Sequence, residues 1–203
     1  MKYEHAYYIS KRCTDVVLSS GLLLLASPFL FFIAVAIKID SMGPVLYKSR
    51  RVKMGGIEFM MLKFRSMYVG ADRGRHVLMQ ANERNGLLFK MQDDPRVTRV
   101  GRILRRYSID EVPQLVNVLI GDMSLVGPRP PLSTEVAYYG PTERKRLCVP
   151  QGMTGLWQVR ARNHPSFRRY LGWDLFYVRN RCSILDFRIL YWTIFEVFRG
   201  SGA

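Results

Sequence analysis

The run VVLSSGLLLLASPFLFFIAVAI, Val16 to Ile37, decides how the rest of the chain is read, because its 22 residues carry no charge. About 20 apolar residues in a helix cross a bilayer. A signal peptide would end on small residues, whereas this run ends on Lys38-Ile39-Asp40. A buried core helix of this kind would leave a small chain with little polar surface. Pro28, preceded by Ser27, stands in the middle. Proline removes a backbone hydrogen bond and kinks a helix, and a neighbouring serine hydroxyl helps satisfy the freed carbonyls in lipid. Basic residues flank both ends: Lys2, Lys11 and Arg12 before, Lys38, Lys48, Arg50, Arg51 and Lys53 after. The positive-inside rule places both flanks on the cytoplasmic side. The expectation is therefore a re-entrant helix that enters, breaks at Ser27-Pro28 and returns, in preference to a single bent span. Residues 1–42 form this membrane hairpin and residues 43–203 a cytoplasmic domain.

Beyond that segment the composition is that of a folded domain. Of 203 residues 48% are hydrophobic, enough for a core. Lys and Arg number 31 against 16 Asp and Glu, a net charge of +15 that calls for an anionic partner: nucleic acid, phosphorylated substrate or acidic lipid. Cys13, Cys148 and Cys182 lie far apart with no CxxC, which argues against a disulfide framework and a cysteine zinc site. His5, His76 and His164 are isolated and read as surface or loop residues.

The local patterns predict an α+β domain of helices and short strands. Gly43-Pro44 is a turn; Val45–Tyr47 and Ile57–Phe64 read as strands around a turn at Gly55-Gly56. Residues 69–92 read as a polar helix and loop. Val112, Leu115, Val116 and Leu119 recur at helical spacing until Gly121. Pro128-Arg129-Pro130-Pro131 is extended, residues 141–149 helical, Gly152–Gly155 a turn and Leu156–Val159 a strand. Ser183–Arg199 is a last helix, with Ser183 and Asp186 spaced as a capping box. Its apolar surface exceeds one core-facing stripe, which leaves core packing and burial in the membrane interface both open.

Chemistry concentrates between Asp94 and Gln114, where five arginines precede the adjacent carboxylates of Asp110 and Glu111. Ser108 and Glu111 match a capping box, but Pro113 would then cost an intrahelical bond. Placing Asp110 at the cap puts Pro113 where its missing N–H is not needed. The carboxylate would lie at the positive end of a helix and stay ionised at neutral pH. Such a group can form a structural ion pair, bind Mg²⁺ or attack phosphorus.

Several motifs in order carry a resemblance covering about Tyr8 to Ala203. They are Lys11-Arg12 with Asp15, Gly43-Pro44-Val45, Lys63-Phe64-Arg65-Ser66-Met67, Asp94-Pro95-Arg96-Val97-Thr98, and Asp110-Glu111-Val112-Pro113-Gln114. Asn117-Val118-Leu119, Gly121-Asp122-Met123-Ser124-Leu125-Val126-Gly127-Pro128-Arg129-Pro130 and Gly152-Met153-Thr154-Gly155-Leu156-Trp157-Gln158-Val159 follow. Together they resemble the bacterial sugar transferases, the monotopic phosphoglycosyl transferases that begin lipid-linked glycan assembly. Ile109 and Val112 depart from the usual leucines, and Arg160-Ala161 from a common small pair.

The resemblance implies an enzyme of the cytoplasmic face of the bacterial inner membrane. It would move a sugar 1-phosphate from a UDP-sugar to polyprenyl phosphate. Asp110 would be the nucleophile, forming a covalent phosphosugar and releasing UMP, with Mg²⁺ as cofactor. Glu111 would position the metal or the lipid phosphate, or act as base; these roles stay open. Asp110 and Glu111 are thus the catalytic and metal candidates. Lys63, Arg65, Arg96, Arg102, Arg129 and Gln158 are the substrate-binding ones. Trp157 reads as core. Membrane lipids are partners, and a homodimer stays open. A nucleic-acid-binding protein would have no recognisable motif here and would leave the uncharged segment unexplained. A non-catalytic assembly factor of the same fold is the remaining rival.

Overall fold

The computed structural model describes residues 2–71, 91, 94–161, 164 and 166–200. Its first element, α1 (Lys2–Asp40), is a single long helix that contains Pro28. Ser27 Oγ donates to the Leu24 carbonyl at 2.8 Å, the local satisfaction expected beside a proline. The apolar middle is bare: Leu24, Leu25, Phe29, Phe31 and Phe32 are all exposed. The flanks are not. Asp15 and Ser19 are buried on the N-terminal side, and Ile37 on the C-terminal side.

Four contacts fix these flanks on the rest of the chain. The buried Lys11 ammonium pairs with Asp186 at 2.9 Å. Arg12 donates to the carbonyls of Val118 and Leu119, 2.6 Å each, at the end of another helix. Asp15 accepts the Leu125 N–H at 2.9 Å. At the far end, Arg65 donates to the carbonyls of Ile37, Ser41 and Met42, at and just beyond the end of α1. The adjoining turn has Gly43 at φ 124°, and any Cβ there would strike the Arg65 guanidinium.

The chain then forms an antiparallel hairpin of β1 (Leu46–Val52) and β2 (Glu58–Phe64), with Tyr47 opposite Lys63 and Arg51 opposite Phe59. The second strand agrees with the sequence pattern to within a residue, the first runs on five residues past Tyr47 to Val52, and a 3₁₀ turn at Met54–Gly56 replaces the simple turn. The span 69–92 falls almost wholly outside the described residues. Thr98 caps α2 (Arg99–Arg106) by accepting the Gly101 N–H at 3.0 Å. A 3₁₀ turn at Ile109–Glu111 and α3 (Gln114–Ile120) follow, with Gly121 in the left-handed region at φ 90° closing α3. Asn117 locks α3 to the hairpin: its amide oxygen accepts the Leu62 N–H and its amide nitrogen donates to the Met60 carbonyl, 2.9 Å each. The side chain thus acts as one more peptide group along the free edge of β2.

Strand β3 (Ser124–Val126) pairs in parallel with β4 (Gly152–Thr154). Between them lie the short helices α4 (Ser133–Val136) and α5 (Pro141–Arg144) and a 3₁₀ turn at Lys145–Cys148. Last come α6 (Leu156–Arg160), α7 (Phe167–Asn180) and α8 (Ser183–Arg199). Here two local expectations reverse: Gly152–Thr154 is the strand and Leu156–Arg160 the helix. The glycines allow it, because a Cβ at Gly152 would run into the backbone of Gly127. Close backbone approach, not turn chemistry, is what Gly152 supplies. The capping box at Ser183 is also absent. Cys182 caps α8 without a side-chain bond, and Asp186 is drawn to Lys11 and to Tyr177 at 2.8 Å.

One core joins Phe59 and Met61 of β2, Leu115 and Val118 of α3, Leu125 and Val126 of β3, and Tyr177 and Ile189 of α7 and α8. A second, smaller cluster holds Ile37 of α1 against Phe64 and Leu104. The surplus apolar surface of α8 is divided: Ile189 is fully buried, while Ile184, Phe187, Tyr191, Ile194, Phe195 and Phe198 are exposed. Core packing therefore uses one side only and leaves an apolar stripe on the other.

Two glycine substitutions should separate close packing from helix propensity. A methyl at Gly101 would meet the Ser66 backbone, with its Cα 2.8 Å away. Gly101→Ala should destabilise by about 1–3 kcal/mol. Gly172→Ala on the exposed face of α7 meets nothing within 4 Å and should stabilise by about 0.5–1 kcal/mol. Thermal unfolding in detergent reads both.

Candidate active site

A cavity of about 470 Å³ opens between the hairpin, α2 and the loop after β3. Residues of β1 and β2 that share one face of the pleat line it: Tyr47, Ser49 and Arg51 on one strand, Lys63 on the other. The 3₁₀ turn supplies Asp110 and Glu111, α2 supplies Arg105, and the extended Pro128-Arg129-Pro130 segment supplies Arg129.

The turn that presents the two carboxylates depends on Ser108, whose φ of 57° makes it the one left-handed non-glycine residue among those described. Such a conformation costs about 1 kcal/mol and is held only where the surroundings enforce it. It reverses the chain after α2. The Ser108 carbonyl then accepts the Glu111 N–H at 3.1 Å, and the Ile109 carbonyl accepts that of Val112 at 3.1 Å. Asp110 is therefore inside a 3₁₀ turn, and Pro113 stands at the cap of α3. This corrects the expectation that Asp110 caps the helix. Proline at the cap needs no N–H, so the α3 boundary moves to Gln114 and the carboxylate swings toward the cavity.

Lys63 reaches between the two acids. Its Nζ lies 2.6 Å from Glu111 Oε1 and 3.9 Å from Asp110 Oδ2. Asp110 is buried. Burial raises its pKa above the ordinary 3.8, the Lys63 charge opposes that rise, Glu111 adds to it and Arg105 opposes it. A buried carboxylate, its ionised form disfavoured by burial, stands where the sequence predicts one stabilised at the positive end of a helix.

The remaining candidates separate. Arg96 is held by Asp94, Nε to Oδ1 at 2.9 Å and Nη2 to Oδ2 at 2.6 Å, and this pairing keeps the Asp94 carboxyl below the usual range. Both line the cavity. Arg65 borders it too, but its terminal nitrogens hold the end of α1. Arg102 is exposed on α2, and the Gln158 side chain turns to the Met153 carbonyl at 3.1 Å; neither lines the cavity. Trp157 is buried against Tyr170, ring centroids 4.6 Å apart, and forms part of the cavity wall. Sequence reasoning treated Arg51 only as a flanking charge and Arg105 only as one of five arginines. Alternation along β1 from Tyr47, opposite Lys63, was the signal for Arg51.

A pair of hard-oxygen carboxylates on the wall of a 470 Å³ cavity suits Mg²⁺, which takes one or two carboxylates and completes its shell with substrate phosphate and water. Among the described residues no group of three or more His, Cys, Asp or Glu converges, so Asp110 and Glu111 are the fitting donors.

The raised pKa gives a stability test. In the folded chain Asp110 ionises at higher pH than in the unfolded chain, so at neutral pH its charge opposes folding, and wild-type stability recovers as pH falls through the folded value. Asp110→Asn should unfold at the same or a higher temperature than wild type at neutral pH. The difference should shrink as pH falls through the folded value and vanish well below 3.8, where the carboxyl is protonated in both the folded and the unfolded chain. A marked loss of stability at neutral pH would contradict this reading.

The chain is also similar to known proteins. The family model for bacterial sugar transferases matches residues 6–200. The chain is 39% identical over 99% of its length to galactosyl transferase CpsE of Streptococcus agalactiae, covering 45% of that protein. It is 37% identical to exopolysaccharide production protein ExoY of Sinorhizobium fredii, covering 96% of this chain and 88% of the relative. It is 40% identical to undecaprenyl-phosphate galactose phosphotransferase of Salmonella typhimurium, covering 95% of this chain and 41% of the relative. The chain thus spans less than half of two of these relatives and nearly all of the third.

Proposed function

Because the chain belongs to the bacterial sugar transferase family, we propose that it transfers a sugar 1-phosphate from a UDP-sugar to polyprenyl phosphate, undecaprenyl phosphate in bacteria. This would be the first membrane step of exopolysaccharide, capsule, O-antigen or glycoprotein glycan assembly. The observation that carries the reading is the buried Asp110 carboxylate in a cation-lined cavity, with Lys63 bridging it to Glu111.

Asp110 attacks the β-phosphorus of the donor. A carboxylate–phosphorus bond forms, the bond from phosphorus to the bridging oxygen breaks, and that oxygen leaves with its electron pair on UMP. The polyprenyl phosphate oxygen then displaces Asp110 from the phosphosugar. Two displacements through one nucleophile are ordinary covalent catalysis. Desolvation makes Asp110 a stronger nucleophile, and the Lys63 ammonium keeps enough of it ionised to react. Arg105 adds positive potential where phosphate charge gathers. Asp110 and Glu111 would hold Mg²⁺ which, when bound, screens the donor diphosphate from the attacking carboxylate.

Undecaprenyl phosphate has a long apolar tail and an anionic head, so the enzyme must meet it at a membrane surface. A straight transmembrane rod from Asp15 to Ile37 would put those residues about 33 Å apart, roughly the hydrocarbon thickness. Asp15 binds Leu125 and Ile37 packs on Phe64, both in the one domain, while Leu24, Leu25, Phe29, Phe31 and Phe32 between them are exposed. The helix runs unbroken through Ser27-Pro28, so the support for a re-entrant arrangement, with the domain on the cytoplasmic face of the inner membrane, is that both flanks meet one domain. The exposed stripe of α8 would lie in the same interface. The excess of basic residues would add about 1 kcal/mol each near an acidic leaflet.

Purified protein given Mg²⁺, polyprenyl phosphate and a panel of UDP-sugars should release UMP with at least one donor. Asp110→Asn should lose that release by several orders of magnitude while remaining folded. Absence of UMP from every donor, with lipid present and the protein folded, would overturn the transfer. Membrane topology has its own test in a cysteine-free background. His5→Cys and Met42→Cys flank the apolar run and are both exposed. A membrane-impermeant maleimide should label both in inside-out vesicles and neither in intact spheroplasts. Labelling of the two from opposite sides would establish a single span.

A further inference from the structure

Arg129 lines the cavity from the extended segment Pro128-Arg129-Pro130-Pro131, in which three of four residues have no N–H to give a neighbour. The segment is held by its carbonyls instead. That of Pro128 accepts the Gly152 N–H at 2.7 Å, and that of Pro131 the Val52 N–H at 3.0 Å. The two between them take side-chain donors. Arg51 Nη1 reaches the Pro130 carbonyl at 3.2 Å, and Arg146 Nη2 reaches the Arg129 carbonyl at 3.0 Å. Arg51 lines the cavity itself, whereas Arg146 lies behind the wall and is completely buried.

Helix α7 compensates the buried guanidinium. Tyr170 and Asp174 lie one turn apart on it, and both meet Arg146. Asp174 Oδ2 is 2.6 Å from Nη2, and the Tyr170 hydroxyl accepts from the same nitrogen. Tyr139 accepts from Nη1 at 2.6 Å. Burial pushes the Asp174 carboxyl up to about 6, so it stays ionised at neutral pH and balances the cation. The Tyr170 ring also packs edge-on against Trp157, which joins the cluster to a second wall residue. An apolar pair of similar volume is often no less stable than a buried ion pair. Moreover, Arg146 Nε finds no hydrogen-bond partner among the described residues. Stability alone therefore does not account for a charge at this place. A planar fork that serves the wall and the interior at once does.

We infer that Arg146 is a positioning residue: by holding the Arg129 carbonyl it fixes the wall that bears Arg129 and Trp157 relative to Asp110, while Asp174 supplies charge balance. The inference rests on the transfer proposed above, because the wall acts by placing the substrate of that reaction. A wall displaced by a fraction of an ångström costs binding and alignment without unfolding the chain.

Thermal unfolding and steady-state UMP release, measured on the same preparations in detergent, test this with two variants. Arg146→Met combined with Asp174→Leu removes both buried charges and leaves the Arg129 carbonyl without its donor. It should melt close to wild type, yet raise KM for the UDP-sugar about tenfold. Asp174→Asn leaves the donor in place and unbalances its charge. It should melt clearly lower, with KM unchanged at temperatures where it is folded. A merely structural pair would give the reverse order, since loss of folded protein lowers kcat and leaves KM alone. A wild-type KM in the double variant would overturn the inference, as would a KM that rises in step with the fall in melting temperature. If the double variant does not fold, Arg146→Lys with Asp174 retained carries the same expected rise in KM, because an ammonium lacks the fork. Failure of both to fold would make Arg146 a folding requirement and defeat its positioning role. Wild type that releases no UMP from any UDP-sugar sinks the proposed transfer and this inference together. Wild-type turnover with unchanged KM in the folded variant sinks this inference alone.

Discussion

Everything in this protein hangs on both flanks of one apolar helix being held by a single domain. The Lys11–Asp186 pair is buried at both ends, and removing either partner would leave a buried charge, a loss of about 3–5 kcal/mol. Arg12 and Arg65 act by another means, donating to backbone carbonyls at the end of α3 and just after α1. Cations at helix C-termini also complement the dipole. Charges that look from sequence like topology signals are therefore also the fasteners that set the membrane segment against the catalytic domain.

The fasteners reach the site through short paths. Arg65 follows Phe64 and lies two residues from Lys63, so the clasp on α1 sits directly after the strand that carries the cation between the two carboxylates. Asn117 holds the free edge of that strand to α3, whose start is set by the turn carrying Asp110 and Glu111. Asp15 reaches β3, which leads into the segment bearing Arg129. The acids and cations of the cavity are thus placed by elements tied to the long apolar helix, as the proposed transfer from a soluble donor to a lipid acceptor requires.

The local electrostatics also show why the carboxylate sits in such an unfavourable place. Burial and the adjacent Glu111 raise the free energy of ionised Asp110, and Lys63 and Arg105 offset part of it. Farther along β1, burial and the Arg129 charge likewise disfavour the Arg51 cation, and Glu135 offsets part of this. Such arrangements oppose folding and favour reaction with a phosphate ester, a common division at active sites.

Much of this was legible in the residues. The uncharged run with its internal proline, the hairpin ending at Phe64, the left-handed stop at Gly121 and the helix from Ser183 to Arg199 all follow from local patterns. The Asp110-Glu111 pair and the Lys63 segment also stood out as chemistry. Other features did not stand out, because they depend on what meets what across long stretches of chain. Pro113 took the cap that Asp110 was expected to fill, Asp186 left its own helix end for Lys11, and Gly152 served close backbone packing in a strand where a turn was read. Arg65 turned to the end of α1, and Arg51 came into the cavity from a flank. The sequence by itself determined the elements and the reactive residue types, since propensity, periodicity and charge act over a few neighbours. Only the tertiary structure decided which charges are buried and paired and which face the cavity, because desolvation and ion pairing depend on neighbours that the fold, not the chain order, brings together.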